Sequence, residues 1–200
     1  MKQPILVLFY SVHGSTEKLA GQIARGINSV GGVEARVRTV PKVSTVCEKI
    51  ADEIPDLGVP YVTKQDLAEC IGLALGSPVR FGNMAASMKY FWDSTVEEWL
   101  NGDLIGKPAC AFSSSSSLHG GQEACILSMM LPLMHHGMIL LSLPYSNMEL
   151  NTTKSGGTPY GVTHVDWMQK EVELTKEEKQ LAFAQGKLLA ETALKLKRTV

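Results

Sequence analysis

No apolar stretch in the sequence approaches the ~20 residues that a membrane-spanning helix needs, so no membrane span is expected. Charge of neither sign is in excess: 19 basic against 20 acidic residues leave a net charge of -1. Binding nucleic acid by phosphate neutralisation needs clustered Lys and Arg, so no nucleic-acid partner is expected. The one basic run, Lys195-Leu196-Lys197-Arg198, is terminal and reads as a solvated helix end. Cysteine is scarce. Cys47, Cys70, Cys110 and Cys125 lie far apart with no CxxC pair. That spacing offers neither a disulfide framework nor a zinc site, so no metal is expected and the cytoplasm is the expected compartment. Three signatures are also missing: the dinucleotide fingerprint GxGxxG, the phosphate-loop pattern GxxxxGK[ST] and the GxSxG nucleophile elbow. Internal repeats and Gln-rich or Pro-rich segments are absent too.

What is present is an ordinary globular composition, 44% hydrophobic and 20% charged. A single domain over residues 1–200 is expected, with an irregular insertion at about 41–66 that carries Pro41, Pro55, Gly58 and Pro60. Ile5 to Tyr10 is an apolar run of strand length that suits burial on both faces. It follows Pro4 without a small-residue cleavage site, so it reads as a first strand and not a signal peptide. Leu19, Ile23, Ile27 and Val30 then recur at helical spacing, and Gly31-Gly32 ends that helix. Further strands are expected at Glu34–Val40, Ile71–Pro78, Pro108–Phe112 and Met138–Leu143. Helical stripes are expected over Met84–Trp99 and Glu123–His136, and one helical turn near Cys47–Asp52. Asn147 to Trp167 reads as a Gly/Thr-rich loop. Thr175-Lys-Glu-Glu178 matches a capping box that opens a last helix. Five strands alternating with helices predict an α/β fold: a doubly wound five-stranded parallel sheet with helices on both faces. Such sheets bind ligands outside the carboxyl ends of their strands.

The residues that leave those ends carry the chemistry. Strand one exits into Ser11-Val12-His13-Gly14-Ser15-Thr16 and then a helix. A helix N-terminus with neutral hydroxyls around it suits a phosphate monoester, although Ser15 or Thr16 could equally serve as a plain helix cap. Strand three exits into Pro78-Val79-Arg80-Phe81-Gly82, which suits a loop lying against a flat ring. Strand four exits into a run of serines, Ser113 to Ser117, and then Leu118-His119-Gly120, whose small residues let backbone approach a ligand closely.

Together these exits resemble the flavodoxin-like fold, and more narrowly the tryptophan-repressor-binding-protein family of NAD(P)H:quinone oxidoreductases. The strings Pro78-Val79-Arg80-Phe81-Gly82-Asn83-Met84 and Gly156-Gly157-Thr158-Pro159-Tyr160-Gly161 are the specific part of the match, and the matching stretches span residues 5 to 161. The resemblance implies FMN as cofactor, NADH or NADPH as co-substrate and a quinone as substrate. It implies the FMN phosphate on Ser11, Val12, His13, Gly14, Ser15 and Thr16, and the ring between Pro78–Gly82 and Ser114, Ser115, Ser116, Ser117, Leu118, His119 and Gly120. It further implies His135 near the ring as a positioning group, Trp99 at the substrate cleft, and a homotetramer with contacts in Val43–Val62 and near Trp99. The sequence departs from the family at His13, where Tyr is common, and at His164-Val165-Asp166-Trp167 after the last matching string.

Of the other residues, Trp92, Met129 and Met130 read as core, and one of His135 and His136 reads as structural at its helix end. Their i,i+1 spacing argues against joint metal ligation. Two other activities fit the same fold: an electron-carrier flavodoxin and a regulatory partner-binding flavoprotein. Such carriers are strongly acidic, which a net charge of -1 does not match.

Overall fold

The structure is a computed structural model that describes residues 2–43, 58–167 and 173–197. Cys47, the helical turn expected at Cys47–Asp52, most of the insertion at 41–66 and Arg198 lie outside the described residues. Five parallel strands form the sheet in the order β2-β1-β3-β4-β5, with β1 Gln3–Phe9, β2 Val33–Thr39, β3 Leu73–Pro78, β4 Pro108–Ser115 and β5 Ile139–Leu140. A short sixth strand, β6 Thr163–Val165, pairs with the end of β4. The helices are α1 Ser15–Asn28, α2 Lys64–Glu69, α3 Ala86–Asp93, α4 Val96–Asn101, α5 Gln122–His135, α6 Glu149–Thr152 and α7 Lys176–Leu196.

Alternation along β1 explains the two layers around the sheet. Ile5, Val7 and Phe9 pack with α1 and α7 residues such as Leu19, Ile23 and Leu189. Leu6 and Leu8 face the opposite way, toward Met88, Trp92, Ile126 and Met129. Side chains two residues apart share a face of a strand, so a run apolar at every position is buried on both sides. Each such side chain, fully buried, contributes about 1.5–3 kcal/mol.

Helices α1 and α7 touch backbone to backbone. A Cβ placed on Gly186 would lie 2.1 Å from the Ile23 carbonyl oxygen, and one on Gly26 would lie 2.1 Å from the Phe183 carbonyl oxygen. The capping box at Thr175 and Glu178 forms as expected and starts α7.

The structure differs from the sequence expectation at four places. The stripe Met84–Trp99 is two helices, because Ser94 and Thr95 donate their hydroxyls to the Phe91 and Trp92 carbonyls at 2.7 and 2.8 Å and end α3. A short helix, α2, overlaps the end of the expected insertion and is opened by its own capping box at Thr63 and Asp66. The strand expected at Met138–Leu143 is only Ile139–Leu140, on the exposed edge beside Pro108–Ala109. The chain then leaves the edge and returns at Thr163–Val165 beside Ser113–Ser115. Part of the expected loop is thus α6 and β6.

His136 is the structural member of its pair. Its Nε2 lies 3.0 Å from the Thr95 hydroxyl and its ring packs edge-on to Trp92 at 5.3 Å. Burial holds its pKa below the ordinary histidine value, although the nearby Glu98 pulls the other way.

The close approach of α1 and α7 sets a measurable limit. Gly186→Ala must push the two backbones apart and should destabilise the fold by about 1–3 kcal/mol. Thermal unfolding should show the melting temperature falling by several degrees, whereas Gly21→Ala, on the open face of α1, should not lower it.

Candidate functional site

A cavity of about 720 Å³ opens at the carboxyl ends of the strands. It lies where the order reverses between β1 and β3, since the connections from these neighbours lead to opposite sides of the sheet. Three loops and one strand end line it: Ser11–His13 with Ser15 and Thr16, Pro78–Phe81, Ser114–Ser117 with Gly120, and Asp166.

The loop after β1 is built as an anion cradle. Gly14 is the N-cap of α1 in the left-handed conformation, φ 88°, and no side chain caps that end. The first-turn N–H groups of a helix have no partner within the helix, and the helix dipole makes its N-terminus favourable for negative charge. Ser11 Oγ accepts from the Gly14 N–H at 3.1 Å and shapes the turn. Thr16 is fully buried, and its hydroxyl lies 2.8 Å from that of Ser114, which joins this loop to the end of β4. Ser15 Oγ donates to Asp166 Oδ2 at 3.2 Å.

The loop after β3 is a two-residue reversal. The Arg80 N–H donates to the Asn83 carbonyl at 2.8 Å and the Asn83 N–H returns to the Arg80 carbonyl at 3.0 Å. Phe81 (φ 53°) and Gly82 (φ 77°) occupy its centre, both left-handed. Glycine adopts this backbone freely, but for phenylalanine it costs about 1–2 kcal/mol. The Phe81 ring is fully exposed at the cavity wall. Asn83 Oδ1 accepts from Ser128 Oγ of α5 at 3.1 Å and anchors the reversal. Strained backbone of this kind clusters at active sites and ligand clamps.

Most of the expected binding residues meet here. Gly14 and Gly82 are turn residues within the lining loops and do not themselves line the cavity, while Leu118 and His119 are exposed beyond it. His135 and Trp99 are not part of the cavity in this chain. Helix α5 starts beside it and runs 14 residues, about 20 Å at 1.5 Å per residue. His135 therefore lies at the opposite end of β4, where the Gly106 N–H donates to the Gly137 carbonyl at 2.9 Å. Trp99 is there too, its Nε1 donating to the His135 carbonyl at 2.8 Å. Asp166 is the lining residue that sequence reasoning missed.

The strand carrying Asp166 is fixed from beneath by a buried carboxylate. Glu178 Oε1 accepts from Ser155 Oγ at 2.9 Å, the Gly156 N–H at 2.9 Å and the Val165 N–H at 3.4 Å. Its Oε2 accepts from the Thr175 N–H at 2.8 Å and lies 2.8 Å from His164 Nδ1. Burial works to raise the Glu178 pKa. The His164 hydrogen bond and charge, with the Thr175 and Gly156 N–H donors, outweigh it and hold it below the ordinary carboxylate value. His164 Nε2 is buried with no partner among the described residues.

The donor set fits FMN. Neutral hydroxyls and a helix N-terminus suit its phosphate. The Pro78–Phe81 and Ser114–Ser117 walls suit a flat ring. Residues 4–152 match the family described as NADPH-dependent FMN reductase. A relative from Geotalea daltonii called NAD(P)H dehydrogenase (quinone) is 39% identical over 199 residues, covering 96% of this chain and 97% of its own. Another of the same name, from Trichlorobacter lovleyi, is 41% identical over 166 residues, covering 80% and 81%. Among solved structures, a WrbA-like flavodoxin from Agrobacterium tumefaciens aligns with a TM-score of 0.70 at 18% identity, covering 98% of this chain and 100% of that one. Oxidised flavodoxin 1 from Bacillus cereus aligns with a TM-score of 0.60 at 17% identity, covering 94% and 98%.

The strained reversal separates stability from binding. Phe81→Asn places a residue that tolerates the left-handed region before Gly82 and should raise stability by about 0.5–1 kcal/mol. The same variant should bind flavin more weakly, read by fluorescence titration with FMN. A loss of stability with unchanged flavin affinity would contradict the role given to this ring.

Proposed function

The chain belongs to the NADPH-dependent FMN reductase family, and from that premise we propose that it is an FMN-dependent NAD(P)H:quinone oxidoreductase. The observation that carries the reading is the cavity itself. It joins an uncapped helix N-terminus, for a phosphate, to two facing loops that would hold a ring. Relatives covering 96% and 80% of the chain carry the quinone dehydrogenase name. The finer placement, in the tryptophan-repressor-binding-protein group, rests on the Pro78–Met84 and Gly156–Gly161 strings.

FMN, when bound, supplies hydride acceptance from NAD(P)H and delivery of two electrons to a quinone, so that quinone, NAD(P)H and one proton yield hydroquinone and NAD(P)+. The protein's part is to bind and orient. Ser11, Ser15, Thr16 and the first-turn amides of α1 would hold the phosphate. Pro78–Phe81 and Ser114–Ser117 would hold the ring from its two sides. The cavity has a single mouth in this reading, so donor and acceptor use it in turn. No side-chain nucleophile is required.

We also propose a homotetramer and a cytoplasmic location. Leu127, Leu131 and Met134 form an exposed apolar stripe on α5, with Trp99, Leu100 and Ile105 also exposed at its far end. In such an assembly His135 and Trp99, being remote from their own cavity, would serve a neighbouring copy's cavity or the interface itself. Cys70, Cys110 and Cys125 are buried free thiols that form no disulfide among the described residues, and the location rests on that scarcity of disulfide-forming cysteine. No helix among the described residues is long and apolar enough to cross a membrane.

Two measurements follow. Initial rates against NADH at several fixed benzoquinone concentrations should give parallel double-reciprocal lines, and excess of either reactant should inhibit. Intersecting lines with a demonstrated ternary complex would rule out the shared mouth. Light scattering of the FMN-loaded protein should give about four times the chain mass of 21.7 kDa, and a monomer would refute the assembly.

A further inference from the structure

A second concavity, of about 480 Å³, is walled by α1, α7 and the start of α6 and shares no residue with the flavin cavity. Its α1 residue Arg25 stands ten positions beyond Ser15, about 15 Å along the helix. Two cations, Arg25 and Lys179, and one carboxylate, Glu149, line it among the described residues. None of these three side chains takes a hydrogen bond or ion pair there. The pairing positions on their own helices explain why. Lys187 of α7 meets Glu191 four residues on, whereas the residue four on from Lys179 is Phe183. Arg25 has Gly21, Gln22, Asn28 and Ser29 at its helical neighbour positions, and none is acidic. Lys179 also stands near the start of α7, where the helix dipole favours anions, so its charge gains nothing from α7 itself. Phe183 lines the same groove and is exposed. Its backbone is fixed, because its carbonyl lies where a Cβ on Gly26 would stand. The side-chain amides of Gln22 and Gln180 complete the walls, also without partners among the described residues.

We propose that this groove binds a small aromatic carboxylate, with the carboxylate held by Arg25 and Lys179 and the ring resting on Phe183. A guanidinium meets both oxygens of a carboxylate in one plane, and an ammonium adds a third charged donor. An aromatic ring on a fixed aromatic wall contributes contact beyond plain area. The amides of Gln22 and Gln180 can donate or accept, so they suit a polar substituent on the ring. Glu149 sets the charge of the ligand. Two cations against one carboxylate leave room for a single negative charge, and Glu149 opposes a second one while accepting from a ring hydroxyl. A phosphate dianion is therefore a poorer fit than a carboxylate. The volume lies within the range of small-molecule sites. The groove stands apart from the flavin cavity, so the inference does not depend on the cofactor reading.

The test is titration of the full chain, saturated with FMN, with 4-hydroxybenzoate at low salt, read by calorimetry and by the side-chain amide signals of Gln22 and Gln180 in nuclear magnetic resonance. Saturable binding should move both amide signals. The uncharged 4-hydroxybenzamide and the dianionic phenyl phosphate should each bind at least about tenfold more weakly, as should 4-hydroxybenzoate to the Arg25→Gln, Lys179→Gln double variant. That variant should keep the melting temperature and the quinone reductase rate of the unmodified protein, because neither side chain holds another part of the fold. No binding of 4-hydroxybenzoate at millimolar concentration overturns the inference. Equal binding of the benzamide, tighter binding of phenyl phosphate, or undiminished binding to the double variant also overturns it, the last by placing the ligand elsewhere, as in the open flavin cavity. A chain that takes up no FMN is titrated alone with the same expectations for the groove, and that failure counts against the cofactor reading only.

Discussion

The carboxylate of Glu178 is the point on which the site's far wall depends. It is completely buried, and a buried charge is tolerated only when it is paired and hydrogen-bonded. Here it gathers the α7 cap at Thr175, the backbone of Gly156 and Val165, and the His164 ring. These groups come from three stretches of chain that share no secondary structure. Removing the carboxylate would leave several buried donors without acceptors, each costing about 1–3 kcal/mol. One side chain thus ends the excursion after β5, starts α7 and fixes β6 along β4. Through β6 it also sets where Asp166 stands, which links packing directly to chemistry.

The same logic of unpaired backbone groups positions the rest of the site. Parallel strands deliver every loop that follows a strand to one end of the sheet, and the reversal between β1 and β3 opens a crevice there. The sequence after β1 supplies no Lys to that crevice. Charge complementarity must therefore come from the α1 dipole and neutral donors. The Thr16 hydroxyl beside Ser114 holds the first and fourth strand exits together, so the cradle is braced across two elements instead of hanging on one flexible loop.

Much of this is written in local patterns. The two-faced burial of β1 follows from an unbroken apolar run, and the α7 start follows from Thr175 and Glu178 three residues apart. The α2 start at Thr63 and Asp66 carries a similar signal, so that helix was readable in principle. What local pattern could not reveal is pairing at a distance. Residues 163–165 are too few to show alternation, and only the edge of β4 makes them a strand. Asp166 has no sequence signal as a wall residue for the same reason. His135 and Trp99 illustrate the converse: a resemblance can carry a role, and helix arithmetic then shows that both stand at the end of β4 remote from their own chain's cavity. Fourteen residues of α5 are enough to decide that.

The charges that line the cavity run against simple attraction. Arg80, a cation, belongs to the loop expected against the ring, whereas Asp166, an anion, stands beside the loop expected against the phosphate. A site evolved only for tight anion capture would place them the other way round. With this polarity, holding power at the phosphate comes from directed N–H and O–H donors, which depend on geometry more than on net charge. Geometry in turn depends on Gly14, on the Thr16–Ser114 brace and on β6. The affinity of the cradle is then tied to the packing of the α1, α7 and β4 framework, and changes far from the ligand can reach it through that framework.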